Sequence, residues 1–166
     1  MIIILWYILV YTVFIYRLIQ ALQKRKVGYA IAGGYAVALH GAIRGTVDID
    51  LVLRLSKKNL LAAEDALKDI DLQSKLPLRA AEVFDFREEY IRNKNLIAWN
   101  FINLNNPAES VDIIITEDLR KMKVKRILVG DQILRVVSIE DLIKMKKKSS
   151  RPQDLEDIKA LRRLKK

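Results

Sequence analysis

Three short stretches of the chain carry side chains whose type and spacing could serve one reaction. Asp48-Ile49-Asp50 opens an alternating apolar run through Leu55 that reads as a strand. In a strand, residues i and i+2 point to the same face, so these two carboxylates can grip the same magnesium ions. Hard oxygen ligands suit Mg²⁺, which keeps some waters and takes substrate phosphates as its other ligands. Asp112 is the one charge in Val111 to Ile115, and a carboxylate inside a sheet-forming run is costly unless paired or metal-bound. Ala32-Gly33-Gly34 stands between a strand-like segment, Tyr29 to Ala32, and a helix-like one, Tyr35 to His40. A glycine pair there lets the backbone come close to a ligand, and the next helix offers its free N–H groups to a phosphate. Each stretch also has an ordinary reading. Asp-x-Asp decorates solvated strand edges, glycine pairs make tight turns, and Asp112 could sit on an exposed sheet face.

Composition narrows the chemistry. The 166 residues include no cysteine, which removes disulfides, thiolate catalysis and cysteine-ligated zinc, and fits a cytoplasmic location. His40 is the single histidine, so multi-histidine metal centres are excluded. Hydrolysis or group transfer must then rest on carboxylates, lysines, arginines or hydroxyls. The net charge of +10 is concentrated: residues 1–119 balance, whereas residues 120–166 carry 16 basic and 6 acidic side chains. Such a segment is either a phosphate-seeking surface or a solvated helix face.

The elements that must position these residues alternate along the chain. A core helix is predicted over residues 9–26, with Val13, Ile15, Leu18, Ile19 and Leu22 apolar. Residues 1–12 read as an apolar extension of the domain, which spans 13–166 as a single unit. Strands follow at 29–32 and 49–55, and Ser56 is the N-cap of a helix reaching about Ile70. Leu76-Pro77-Leu78 breaks the pattern before a charged helix over 85–93. Residues 96–103 and 110–116 read as a hairpin turning at Asn105-Asn106-Pro107. One or two strands over 127–137 precede a helix capped by Ser138 and a last helix over 152–164.

Taken in order, Gly33-Gly34, a helix, Asp48-x-Asp50 on the next strand and Asp112 on a later one resemble the DNA polymerase β-like nucleotidyltransferase superfamily. The string Arg44-Gly45-Thr46-Val47-Asp48-Ile49-Asp50 is similar to the Arg-x-Thr-x-Asp-x-Asp of its small bacterial and archaeal members and AbiEii-type toxin enzymes. The likeness runs on through Arg92 to Leu96, Asn103 to Pro107, Val137 to Ile143 and Lys146 to Ile158, so it covers about residues 13–164. It implies an α/β (α+β) fold in which a short mixed β-sheet is flanked by helices, with further helices at the C-terminus. It also implies transfer of a nucleoside monophosphate from an NTP to a hydroxyl, using two Mg²⁺ ions.

In that scheme Asp48 and Asp50 would ligate both metals and Asp112 the one on the nucleophile side. Gly33 and Gly34 would bring backbone N–H groups to the β- and γ-phosphates. Arg44, Thr46 and Lys146 would complete the nucleotide site, with Arg44 and Lys146 as the cations facing developing phosphate charge. Asp154 and Asp157 are expected to pair with Arg151 and the lysines, and His40 to pack or cap. The minimal antitoxin transferases carry Gly-Ser where this chain has Gly33-Gly34-Tyr35. The difference points to the toxin-type and antibiotic-modifying branches, and to a toxin–antitoxin or phage-defence setting. Those branches usually add a large helical domain for the acceptor, for which this chain has little room. The acceptor stays open among tRNA or other RNA ends, a partner protein's hydroxyl and an aminoglycoside-like alcohol, with the basic C-terminus tilting toward RNA. The rival reading is a catalytically silent, antitoxin-like or regulatory binding module, against which the three retained carboxylates argue.

Overall fold

A computed structural model describes residues 2–165, and its side-chain description begins at Val13. The expected apolar extension, residues 1–12, therefore falls outside the described side chains. Helix α1 runs Ile2–Lys24. It buries Phe14, Ile15, Leu18, Ile19 and Leu22, spaced three and four apart as a one-sided helix requires, whereas Val13 is exposed. Among the residues whose side chains are described, from Val13 on, no helix is long and apolar enough to cross a membrane.

The chain then forms β1 (Tyr29–Ile31), α2 (Gly33–Leu39), β2 (Ile49–Leu53) and α3 (Lys57–Lys68). Next come β3 (Leu72–Ser74), α4 (Ala80–Asp85), α5 (Arg87–Lys94), β4 (Ala98–Asn103) and β5 (Asn106–Ile114). A 3₁₀ turn at Leu119–Lys121 leads to β6 (Val124–Val129), β7 (Gln132–Val137), α6 (Ile139–Ser149) and α7 (Pro152–Leu164). Ser56 caps α3 by accepting from Asn59 N, and Ser138 caps α6 by accepting from Asp141 N. Both caps satisfy N–H groups that the first helical turn leaves without partners.

Among the described residues seven strands form one mixed sheet in the order β3-β4-β5-β2-β1-β7-β6. β2 runs parallel to β5 and β1 parallel to β7, while the remaining neighbours are antiparallel. The mixed sheet and flanking helices agree with the expected fold class. On β4, Trp99, Phe101 and Asn103 are buried while Ala98, Asn100 and Ile102 are only partly covered. Trp99 packs against Phe101 at a centroid distance of 4.5 Å, and its Nε1 donates to Ser74 Oγ at 2.8 Å. Fully burying side chains of this size contributes about 2–3 kcal/mol each.

The elements differ from the sequence reading in five places. α1 begins at Ile2, ahead of the expected residue 9. β3 and α4 flank Leu76-Pro77-Leu78, where the text shows only a break. β5 begins at Asn106, inside the expected turn, and β6 begins at Val124, ahead of the expected strand.

Candidate active site

Strand pairing gathers the carboxylates. In the parallel β2–β5 ladder Asp50 is the register partner of Asp112, so the two side chains leave the sheet on one face. Asn100 on β4 is the partner of Asp112 on the other side, and its Nδ2 donates to Asp112 Oδ1 at 2.8 Å. Lys75 N donates to Asn100 O at 2.9 Å, and the Lys75 charge acts on Asp112. Ala32 N donates to Asp50 O at 2.8 Å and carries the row onto β1. Asp48 lies just before β2 and is tied to β5 by a hydrogen bond from Ser110 Oγ. Asn100 and Lys75 were not among the residues singled out in the sequence.

Gly33 fits this place for a steric reason. Its φ is +58°, and a Cβ there would collide with the Asp50 carboxylate. Gly34 sits beside the loop that precedes β2: a Cβ on it would lie 3.0 Å from Thr46 Oγ1 and 3.4 Å from Arg44 Nη2. The glycine pair, Arg44, Thr46 and Asp50 therefore share one neighbourhood. Thr46 Oγ1 reaches Asp48 O at 3.5 Å, a long contact.

A cation network borders it. Lys146 is buried, and its Nζ lies 3.1 Å from Asp154 Oδ1 and 2.6 Å from Asp157 Oδ2. Arg44 Nε reaches Asp157 Oδ1 at 3.2 Å, and Arg151 Nε reaches Asp154 Oδ2 at 3.0 Å. The two aspartates of α7 thus pair with Arg151 and Lys146, as expected, and Asp157 also pairs with Arg44, which the sequence did not suggest. His40 caps α2 and its Nε2 bonds Val137 O at 2.8 Å, tying the helix to β7.

Electrostatics marks Asp50 out. Burial first, then the charges of Asp112 and Asp48, push its carboxyl up to about 6, against the pull of Lys146 and Arg151. Asp112 is also raised, chiefly by burial and then by Asp48, although Asn100 and Lys75 oppose this. Asp48 turns toward Ser110 and Asp112 toward Asn100. Among the described residues, no three acidic or histidine side chains already converge as a metal cage.

Two clefts lie elsewhere. One of about 580 Å³ is lined by Leu55, Phe84, Asp118 and Lys148, and one of about 460 Å³ by Glu64, Leu72 and Arg79. Neither includes Asp48, Asp50 or Asp112. The charges lining the first are largely paired with each other, Lys148 with Glu117 and Arg120 with Asp118, each at 2.6 Å.

The model of a nucleotidyltransferase family of unknown function (DUF6036) matches residues 13–165. No protein of curated function matches the sequence. Among solved structures, the lincomycin-bound lincosamide antibiotic adenylyltransferase LnuA superposes with a TM-score of 0.62 at 15% identity. The match covers 91% of this chain and 96% of that one. The antibiotic-resistance factor ANT(2'')-Ia gives 0.62 at 13% identity, over 90% of this chain and 80% of its own. A putative nucleotidyltransferase from Thermotoga maritima gives 0.60 at 16% identity, over 90% of each chain. At such identities the likeness establishes the fold.

Proposed function

The chain belongs to this nucleotidyltransferase family, and from that premise we propose that it transfers a nucleoside monophosphate from an NTP to an acceptor hydroxyl. The observation that carries the reading is the pairing of Asp50 with Asp112 on one sheet face, with Asp48 two residues before Asp50. All three donors are carboxylate oxygens, and their repulsion, felt at Asp50, is what a divalent cation relieves. They fit Mg²⁺, with Asp48, Asp50 and Asp112 as its holders. Bound there, magnesium would lower the pKa of the attacking hydroxyl and neutralise phosphate charge.

The chain's own groups have separate tasks. Gly33 makes room for the Asp50 carboxylate and Gly34 for Thr46 and Arg44, so the turn can sit against these side chains and offer its backbone N–H groups to the triphosphate. Arg44, braced by Asp157, offers its remaining guanidinium donors to the phosphates, and Thr46 lies against Gly34 as a further donor. Lys146 adds positive potential that acts on Asp50 from within the fold. Asn100 fixes one oxygen of Asp112 and leaves Oδ2 without a protein donor among the described residues.

The drug adenylyltransferase LnuA, of which this chain covers 96%, supports a small hydroxyl-bearing acceptor. Its likeness also means that transfer to a small molecule needs no large additional domain. One observation favours RNA instead: Lys121, Lys123, Lys125 and Arg126 are exposed, and none has an acidic partner among the described residues. Labelled NTP with Mg²⁺, offered cell RNA, small alcohols and lysate, tests both. Transfer that disappears in Asp48→Ala supports the reading and identifies the acceptor. Wild-type protein that labels none of them, or an Asp48→Ala variant as active as wild type, rejects it.

A further inference from the structure

The α6–α7 junction contains two cations close enough for their charge to act on Asp50, Lys146 and Arg151, and they differ in what they can still reach. The Lys146 side chain is 7% exposed, with its ammonium between two carboxylates. The Arg151 side chain is 75% exposed. Its Nε donates to Asp154 Oδ2 at 3.0 Å, while Nη1 and Nη2 have no protein partner among the described residues. A guanidinium held at Nε keeps both terminal nitrogens for a second ligand, and their fork matches two phosphate oxygens.

Asp154 is built to hold that arginine. Its carboxylate accepts from Lys146 Nζ at 3.1 Å, Ser149 Oγ at 2.7 Å, Arg151 N at 3.2 Å and Arg151 Nε at 3.0 Å. Burial alone would raise the Asp154 carboxyl, yet the hydrogen bonds from Arg151, Ser149 and Lys146 hold it well below the usual carboxylate range. An unbroken series of contacts joins this corner to the glycine turn. It passes from Arg151 to Asp154, Lys146, Asp157 and Arg44, whose Nη2 lies 3.4 Å from where a Gly34 Cβ would be.

We infer that Arg151 is a second phosphate-binding guanidinium, acting with Arg44 on the triphosphate, and that Asp154 is its positioning residue. Lys146 then serves as the internal counter-charge that lets Asp154 and Asp157 stay ionised where they are buried. The inference rests on the nucleotidyl-transfer reading and names a new residue within it. A pure helix cap would employ the Arg151 backbone N–H and Nε and leave ligand affinity alone.

Calorimetric titration of ATP, AMP and tripolyphosphate, each with Mg²⁺, separates these roles. Arg151→Gln should weaken ATP and tripolyphosphate about tenfold, as loss of a charge-assisted pair does, and leave AMP unchanged. Arg151→Lys should recover part of the loss. If Arg151→Gln binds ATP as wild type does, or loses ATP and AMP in parallel, the assignment is overturned while the transfer reading stands. If wild-type protein binds neither ATP nor tripolyphosphate, the transfer reading fails and the assignment goes with it.

Discussion

Asp50 is partly covered and feels the charges of Asp112 and Asp48, and burial together with those charges pushes its carboxyl from 3.8 to about 6. A folded pKa above the unfolded one means that the metal-free native state binds this proton more tightly. Stability should therefore fall as pH rises from about 4 to about 6 and level off above, with a cost at neutral pH of about 2–3 kcal/mol. Asp50→Asn keeps the volume and removes the charge. It should abolish transfer, raise the thermal midpoint of the metal-free protein at pH 7.5 and flatten its slope between pH 4 and 6. Calorimetry across that range is the check, and an unchanged slope would clear Asp50 of the strain. Asp48, Asp50 and Asp112 were legible in the sequence because each stands out in apolar, strand-forming text. Asn100 was not, because an alternating Trp99-Asn100-Phe101 looks like any half-exposed strand. Counting back from the Asn103–Asn106 pair would place Asn100 opposite Glu109. The register shift between Ile102 and Asn103 moves it to Asp112 instead, and such a bulge leaves no mark in the text.

Helix α3 shows how one side chain can secure an element. Asn59 Oδ1 accepts from Gly28 N at 2.7 Å, and its Nδ2 donates to Gly28 O at 3.1 Å and Arg54 O at 3.0 Å. It fastens the start of β1 and the exit of β2 to the first turn of α3. Asn59→Ala leaves Gly28 N without a partner, while Gly28 O still accepts from Arg54 N and Arg54 O from Ser56 N, and should cost about 1–3 kcal/mol. Urea unfolding should show a lower midpoint at unchanged m, with transfer activity retained in the cold. Ser56 and Ser138 were recognisable as caps because a capping hydroxyl before an apolar-periodic run is a local signal. β3 was not, since three residues cannot display a period and its identity depends on pairing with β4. α4 escaped for a related reason: Pro77 interrupts the pattern, and the capping carboxylate comes from Glu82, whose Oε2 accepts from Arg79 N at 2.8 Å.

For the molecule as a whole, the matched family region begins at residue 13, and the described core takes its first side chain from Phe14. A chain beginning at Val10 should therefore fold and keep its transfer activity. Circular dichroism and the labelling assay check this, and a truncated protein that fails to fold would place residues 1–9 in the core. The outline of the sheet was readable from alternation, but its order was not, because β5, which flanks β2 on the side away from β1, comes from a distant part of the chain. That distance has a consequence for assembly. β2 and β5 are separated by α3, β3, α4, α5 and β4, so their parallel ladder closes late, after a long loop has been gathered in. A slip of one residue in that ladder would turn Asp112 to the far face, away from Asp50. Ligands that need both carboxylates would then bind only correctly threaded molecules, so nucleotide and metal would proofread the fold and drain misregistered chains into the native form.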